Sequence, residues 1–240
     1  MNTQINTQKV TVALLESLAF AVVAVSLMAT SYFVVEPQVG LGQATTSGPF
    51  TIRTTIVEEI SFLVGAVNVV ATGSINGITG GTANGSTTVV VRTNDSQGYN
   101  MTIAFFNNGT SEAMRGDNSL STSIRDYPST STQPTYTFST ASTSAVFGYT
   151  VSATDSADVE QSFLHNGSNA CNQVGGTANA TSTFCWMEPT VSAFEFVRRI
   201  TPAGGSTSTL HFRIHVPNNP NPGVQSDTYT ATATLTATNN

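Results

Sequence analysis

The sequence predicts an all-β fold, an antiparallel β-sandwich of Greek-key or jelly-roll type preceded by an N-terminal hydrophobic helix. Three observations carry this. Threonine, serine and asparagine supply about a third of the 240 residues, while only 9% are charged, against roughly 25% in an ordinary soluble domain. Threonine is β-branched and suits the solvent face of a pleated sheet. Period-2 alternation recurs: Leu210, Phe212, Ile214 and Val216 share one side, His211, Arg213 and His215 the other, the signature of a strand with one buried face. Asn-Gly, the preferred pair of tight hairpin turns, occurs at Asn76-Gly77, Asn84-Gly85, Asn108-Gly109 and Asn166-Gly167.

The elements follow in chain order. Residues 1–9 are polar, and residues 10–35 are apolar except around Glu16. The uninterrupted run from Ser17 to Val35 is long enough to span a hydrocarbon core, which needs about 20 residues, and exceeds the usual secretory h-region of about 7–15. Two readings of residues 1–44 therefore stand, a signal peptide cleaved near Gly42-Gln43-Ala44 or a retained anchor helix with a short linker. Residues 45–240 form the β region, with strands expected near 50–57, 60–64, 67–72, 86–92, 99–106, 135–139, 145–151, 191–200, 208–216 and 227–238. In the last, Tyr229, Ala231, Ala233, Leu235 and Ala237 alternate with an unbroken threonine face. The Ser/Thr/Pro-rich stretch at 119–144 reads as a long surface loop, an O-glycosylated stretch or a domain boundary. Residues 155–164 read as a short helix capped by Asp155 or Ser156.

The formal charge is −6 and the arginines are scattered, so nucleic-acid binding has no electrostatic footprint. The adjacent pair Arg198-Arg199 reads as a solvated strand end. Cys171 and Cys185 lack the neighbouring ligands of a zinc site, and in an exported chain they read as a disulfide worth about 3 kcal/mol. Lysine occurs only at Lys9, which leaves the β region without the amine that a Lys–Asn isopeptide cross-link needs.

No GxSxG, HExxH, P-loop or GxGxxG segment is present, and no catalytic or cofactor-binding residue is assigned. His211 and His215 would lie roughly 13 Å apart on a strand, too far to share an ion, and read as exposed polar-face side chains. Asp155, Asp158 and Glu160 are calcium candidates, set against the plainer reading of capping and dipole partners. Trp186 reads as packed beside the disulfide rather than as a sugar-stacking platform. Six sequons, at Asn84, Asn94, Asn100, Asn108, Asn166 and Asn179, arise readily by chance in so Asn-rich a chain.

Two resemblances add to this. VALLESLAF, with Glu16 after four apolar residues, resembles the start of a type IV pilin helix, where the glutamate neutralises a neighbouring subunit's N-terminus; Thr11 stands where processing requires glycine. The segments EEISFLV, TGGTANGSTTVVVRTNDSQGYNMTIAF, DVEQSFLHNGSNACN and DTYTATATLTATN together resemble secreted Thr/Asn-rich β proteins of ultrasmall candidate-phylum bacteria. That resemblance implies an extracytoplasmic surface protein without a transferable catalytic motif. The final strand also resembles the closing strand of coat- and pilus-type β-sandwiches.

The function expected is that of a non-enzymatic cell-surface structural or adhesive protein. The alternatives are a filament subunit, assembled through Glu16 or by strand exchange, and a secreted glycan-active enzyme. Expected partners are other surface proteins, further copies of the chain, the membrane through an uncleaved helix, and glycans.

Overall fold

The computed structural model describes residues 15–26, 51–107, 112–119, 121–128, 133–139, 143–165, 169–172, 177–178 and 184–240. The chain divides into a unit of residues 1–54 and a unit of residues 55–240. In the first, residues 15–26 are helical and exposed, Glu16 included. No described helix is long and apolar enough to cross a membrane. Lys9 and the expected cleavage site at 42–44 lie outside the described residues.

The second unit is built of strands. They are β1 (Ile60–Val64), β2 (Gly81–Thr93), β3 (Tyr99–Phe105), β4 (Met114–Gly116), β5 (Ser123–Asp126), β6 (Val146–Ala153), β7 (Leu164–His165), β8 (Thr177–Ala178), β9 (Phe194–Arg199), β10 (Ala203–Val216), β11 (Tyr229–Ala231) and β12 (Ala233–Asn239). Seven form one sheet in the order β1-β2-β10-β6-β5-β4-β11; a second sheet has the order β12-β3-β9, and β7 pairs with β8. All pairings are antiparallel except β5 with β6. A parallel neighbour needs a long crossover connection, and the polar stretch 127–145 supplies it.

Alternation fixes which side of each strand is buried. Leu210, Ile214 and Val216 of β10 are buried beside Phe147, Tyr149 and Val151 of β6. Tyr99, Met101, Ile103 and Phe105 of β3 are all at most 4% exposed. Side chains from both large sheets belong to one apolar cluster, and Phe105 reaches across it to Phe147 and Tyr149 at centroid distances of 5.9 and 5.4 Å. Burying such a side chain stabilises the fold by about 1.5–3 kcal/mol.

Several expected elements differ. Residues 67–72 form no strand apart from a bridge between Thr72 and Asn84. They run instead beside β2 beyond its pairing with β1, on the side of Ala83 and Thr87, where Val69 occupies the space that a side chain at Gly85 would need. Asn84-Gly85 is accordingly inside β2 rather than in a turn, whereas Asn76 and Gly80 close the turn around Gly77 with two backbone hydrogen bonds. The expected last strand breaks at Thr232: β11 pairs with β4, and β12 crosses to pair with β3. The expected helix at 155–164 is two 3-10 turns, Ser156–Asp158 and Gln161–Phe163, because Glu160 donates its N–H to Phe196 O and joins β9.

A second apolar cluster lies on the opposite face of the large sheet. Tyr127 stacks on Phe138, the Trp186 ring meets Phe138 edge-on, and the Arg213 guanidinium lies 4.6 Å from the Trp186 centroid. Gly148, opposite Arg213 in the ladder, makes room for it, since a Cβ there would come within 2.8 Å of Tyr127 Cβ.

Candidate functional site

The sequence-assigned residues fall in separate places. Cys171 and Cys185 are bridged, with Cα atoms 5.8 Å apart. The bridge follows from the pairing of His165 with Cys171 and from the Thr135–Trp186 bridge that seats the second cysteine's neighbour. Trp186 is fully buried, which removes the sugar-stacking role and leaves packing against Phe138 and Arg213.

The three calcium candidates diverge. Asp155 accepts from Ala157 N at 3.0 Å and caps the first 3-10 turn. Asp158, 4% exposed, is held by Arg199 at 2.9 and 2.7 Å and by Ser206 Oγ at 2.7 Å. Glu160 faces Glu195, whose carboxyl is raised by burial first and by Glu160 second. Among the described residues no group of three or more His, Cys, Asp or Glu is placed to hold a metal ion. Arg199 is thus no solvated strand end. The Asp158 carboxylate draws it inward while Arg198 stays exposed.

The histidines are half-buried rather than exposed. His211 meets Ser152 Oγ at 2.9 Å and His215 meets Thr82 Oγ1 at 2.8 Å. Burial lowers both pKa values, with nearby Arg213 adding to the effect at His215. The aromatic cluster around Arg213 covers part of the face that the sequence leaves open. Asn108, Asn166 and Asn179 lie outside the described residues. The side chain of Asn94 is engaged at both ends, accepting from Glu59 N at 2.6 Å and donating to Val57 O at 2.9 Å.

Two features have no motif in the sequence. The first is a cleft of about 410 Å³ whose lining includes Asn107, Asp126, Glu188 and Phe194. Asp126 accepts from Ala113 N at 3.0 Å and donates its own N–H to Glu112 Oε2 at 2.6 Å. Burial raises the Asp126 carboxyl to about 7, with Glu112 and Glu188 adding to it. A carboxyl raised towards neutrality among further acids is the raw material of acid–base chemistry. Far apart along the chain, these acids gave no signal.

The second feature is an exposed arm together with a sheet edge. Residues 51–56 are exposed, lie outside every strand and have no hydrogen-bond partner among the described residues, and Asn94 pins the chain just after them. Among the described residues β12 pairs in a ladder only with β3. The chain matches no family model, no curated protein and no solved structure. Function is therefore argued from these features alone.

Proposed function

We propose that this chain is a non-enzymatic structural or adhesive β-sandwich displayed on the cell surface, exported through its N-terminal apolar segment. The observation that carries this is the Cys171–Cys185 bridge, since disulfides persist in oxidising compartments. The exposed apolar helix at 15–26 supports an export or anchoring role, and the two facing sheets with a shared core support the sandwich. The threonine faces offer a neutral, hydroxyl-rich surface for contacts with other surface proteins and glycans. Protease added outside intact cells should degrade the chain while a cytoplasmic marker survives; protection of the chain alongside that marker would overturn the reading.

A filament subunit is the second reading, supported by the unpaired arm and the open β12 edge. The cleft at Asp126 and Glu188 supports a secreted glycan-active enzyme as a third. Incubation with polysaccharides should release no reducing sugar, and release that is lost in Glu188→Gln would establish the enzyme instead.

A further inference from the structure

We infer that residues 51–57 of one copy add as a strand along the free edge of β12 in a second copy, joining copies head to tail. The inference rests on the filament reading and names its contact.

The arm has the composition of a strand but belongs to no sheet among the described residues. Every residue from Thr51 to Val57 except Arg53 is β-branched, a composition that favours extended, paired backbone. Yet Ile52 and Ile56 are 85% and 81% exposed. The two bonds from Asn94 to Val57 and Glu59 fix the point from which the arm leaves.

β12 is a sheet edge with no second ladder partner among the described residues. Its register with β3 is unbroken from Ala233–Phe105 to Asn239–Tyr99. Flanking bonds from Phe106 N to Thr232 O and from Asn240 N to Gly98 O set the phase. The even-numbered residues bond to β3, so Ala233, Leu235 and Ala237 turn their N–H and C=O groups outward. Natural edges are protected by charges, prolines or bulges; β12 has none of them. The other long edges are less suited. β1 is irregular between Phe62 and Val64, and the outer side of β9 is taken by Val159 and Glu160. β1 comes near β12 without a ladder between them.

Arm and edge also match in size and face. Each is about 23 Å long at roughly 3.3 Å per residue. Ile52, Thr54 and Ile56 share one side of the arm and would cover Leu235 and Ala237, which are only partly buried against the core. Arg53, Thr55 and Val57 then continue the threonine face. Such a contact uses different surfaces on the two copies, and a heterologous contact that does not close into a ring builds a filament.

The test uses the full chain carrying Thr55→Cys and Thr236→Cys, made as an equal mixture of ¹⁴N and ¹⁵N protein in mild detergent and joined by a short bismaleimide. The expected result is a ladder of multimers containing mixed-isotope peptides that link positions 55 and 236. Ala237→Pro, which removes an outward N–H and spares the bonds to β3, should reduce the ladder at least tenfold. So should Ile56→Asp, which lies outside every strand and leaves the fold intact. Monomer only, same-isotope links from an arm folding back, or an equal ladder with Gly223→Cys in place of Thr236→Cys would overturn the inference. Such a failure in a chain that external protease reaches leaves the surface reading standing; a mixed-isotope ladder in a chain that protease cannot reach sinks the surface reading alone.

Discussion

Burial pushes the Asp126 carboxyl from its ordinary 3.8 up to about 7, opposed by the bond from Ala113 N and reinforced by Glu112 and Glu188. A carboxyl raised on folding favours the folded state below its unfolded value, and that contribution is lost as pH rises through about 7. Stability of the wild-type chain should therefore fall between pH 4 and pH 8. Asp126→Asn keeps the acceptor for Ala113 N and should gain about 1–2 kcal/mol over wild type at pH 8, a figure discounted for the open side of the cleft. Urea titrations across that range check it, and identical slopes for the two chains would refute it. Arg199 presents the opposite case. Asp158 is 6% exposed in its side chain and its guanidinium partner 22%. Arg199→Met leaves a buried carboxylate uncompensated, at a cost of about 3 kcal/mol; an equilibrium denaturation loss under 1 kcal/mol would show that Asp158 finds its solvation elsewhere.

Among the elements, the chain on either side of the disulfide is also braced by the pairings of His165 with Cys171 and of Thr135 with Trp186. Replacing Cys171 and Cys185 with alanine should cost about 3 kcal/mol and lower the melting temperature. The intact mass of the wild type should rise by about two protons on reduction. Gly148→Ala drives a Cβ towards Tyr127 and should cost about 1–3 kcal/mol by overpacking, read as a melting shift together with altered tryptophan fluorescence from Trp186. How much of this was legible depended on whether alternation was strict. β3 and β10 could be read directly, because Tyr99 to Phe105 and Leu210 to Val216 place an apolar residue at every second position. β4 and β5 are too short to register, one just before and one inside the Ser/Thr/Pro-rich stretch, and the aromatic pair Tyr127 and Phe138 gave no period there. The Thr135–Ser139 segment was read as a strand from its β-formers, but only Thr135 bridges, since Tyr136 and Phe138 leave the ladder to stack on Phe184 and Tyr127. The acid cleft was not legible at all: Glu112, Asp126 and Glu188 come together only when β4, β5 and the chain after Trp186 converge.

At the scale of the whole molecule, stability rests on shared apolar burial, ladder bonds and one disulfide, all reversible or reducible. Heating in SDS with reductant should extend the β region completely, and intact mass should show no loss of ammonia or water within 45–240. Resistance with such a mass loss would reveal a covalent link that the absence of lysine after Lys9 argues against. The ladders themselves join distant stretches: Gly81 lies opposite Val216, and Phe105 opposite Ala233. The strand that serves first one sheet and then the other, β11 continuing into β12, lies more than a hundred residues along the chain from its partners β4 and β3. Neither sheet is complete until that strand is seated, so the two close together rather than one after the other. High contact order of this kind places refolding in the millisecond-to-second range. Asn240, which bonds to Gln97 O, Gly98 O and Arg199 O, acts as a latch across that seam.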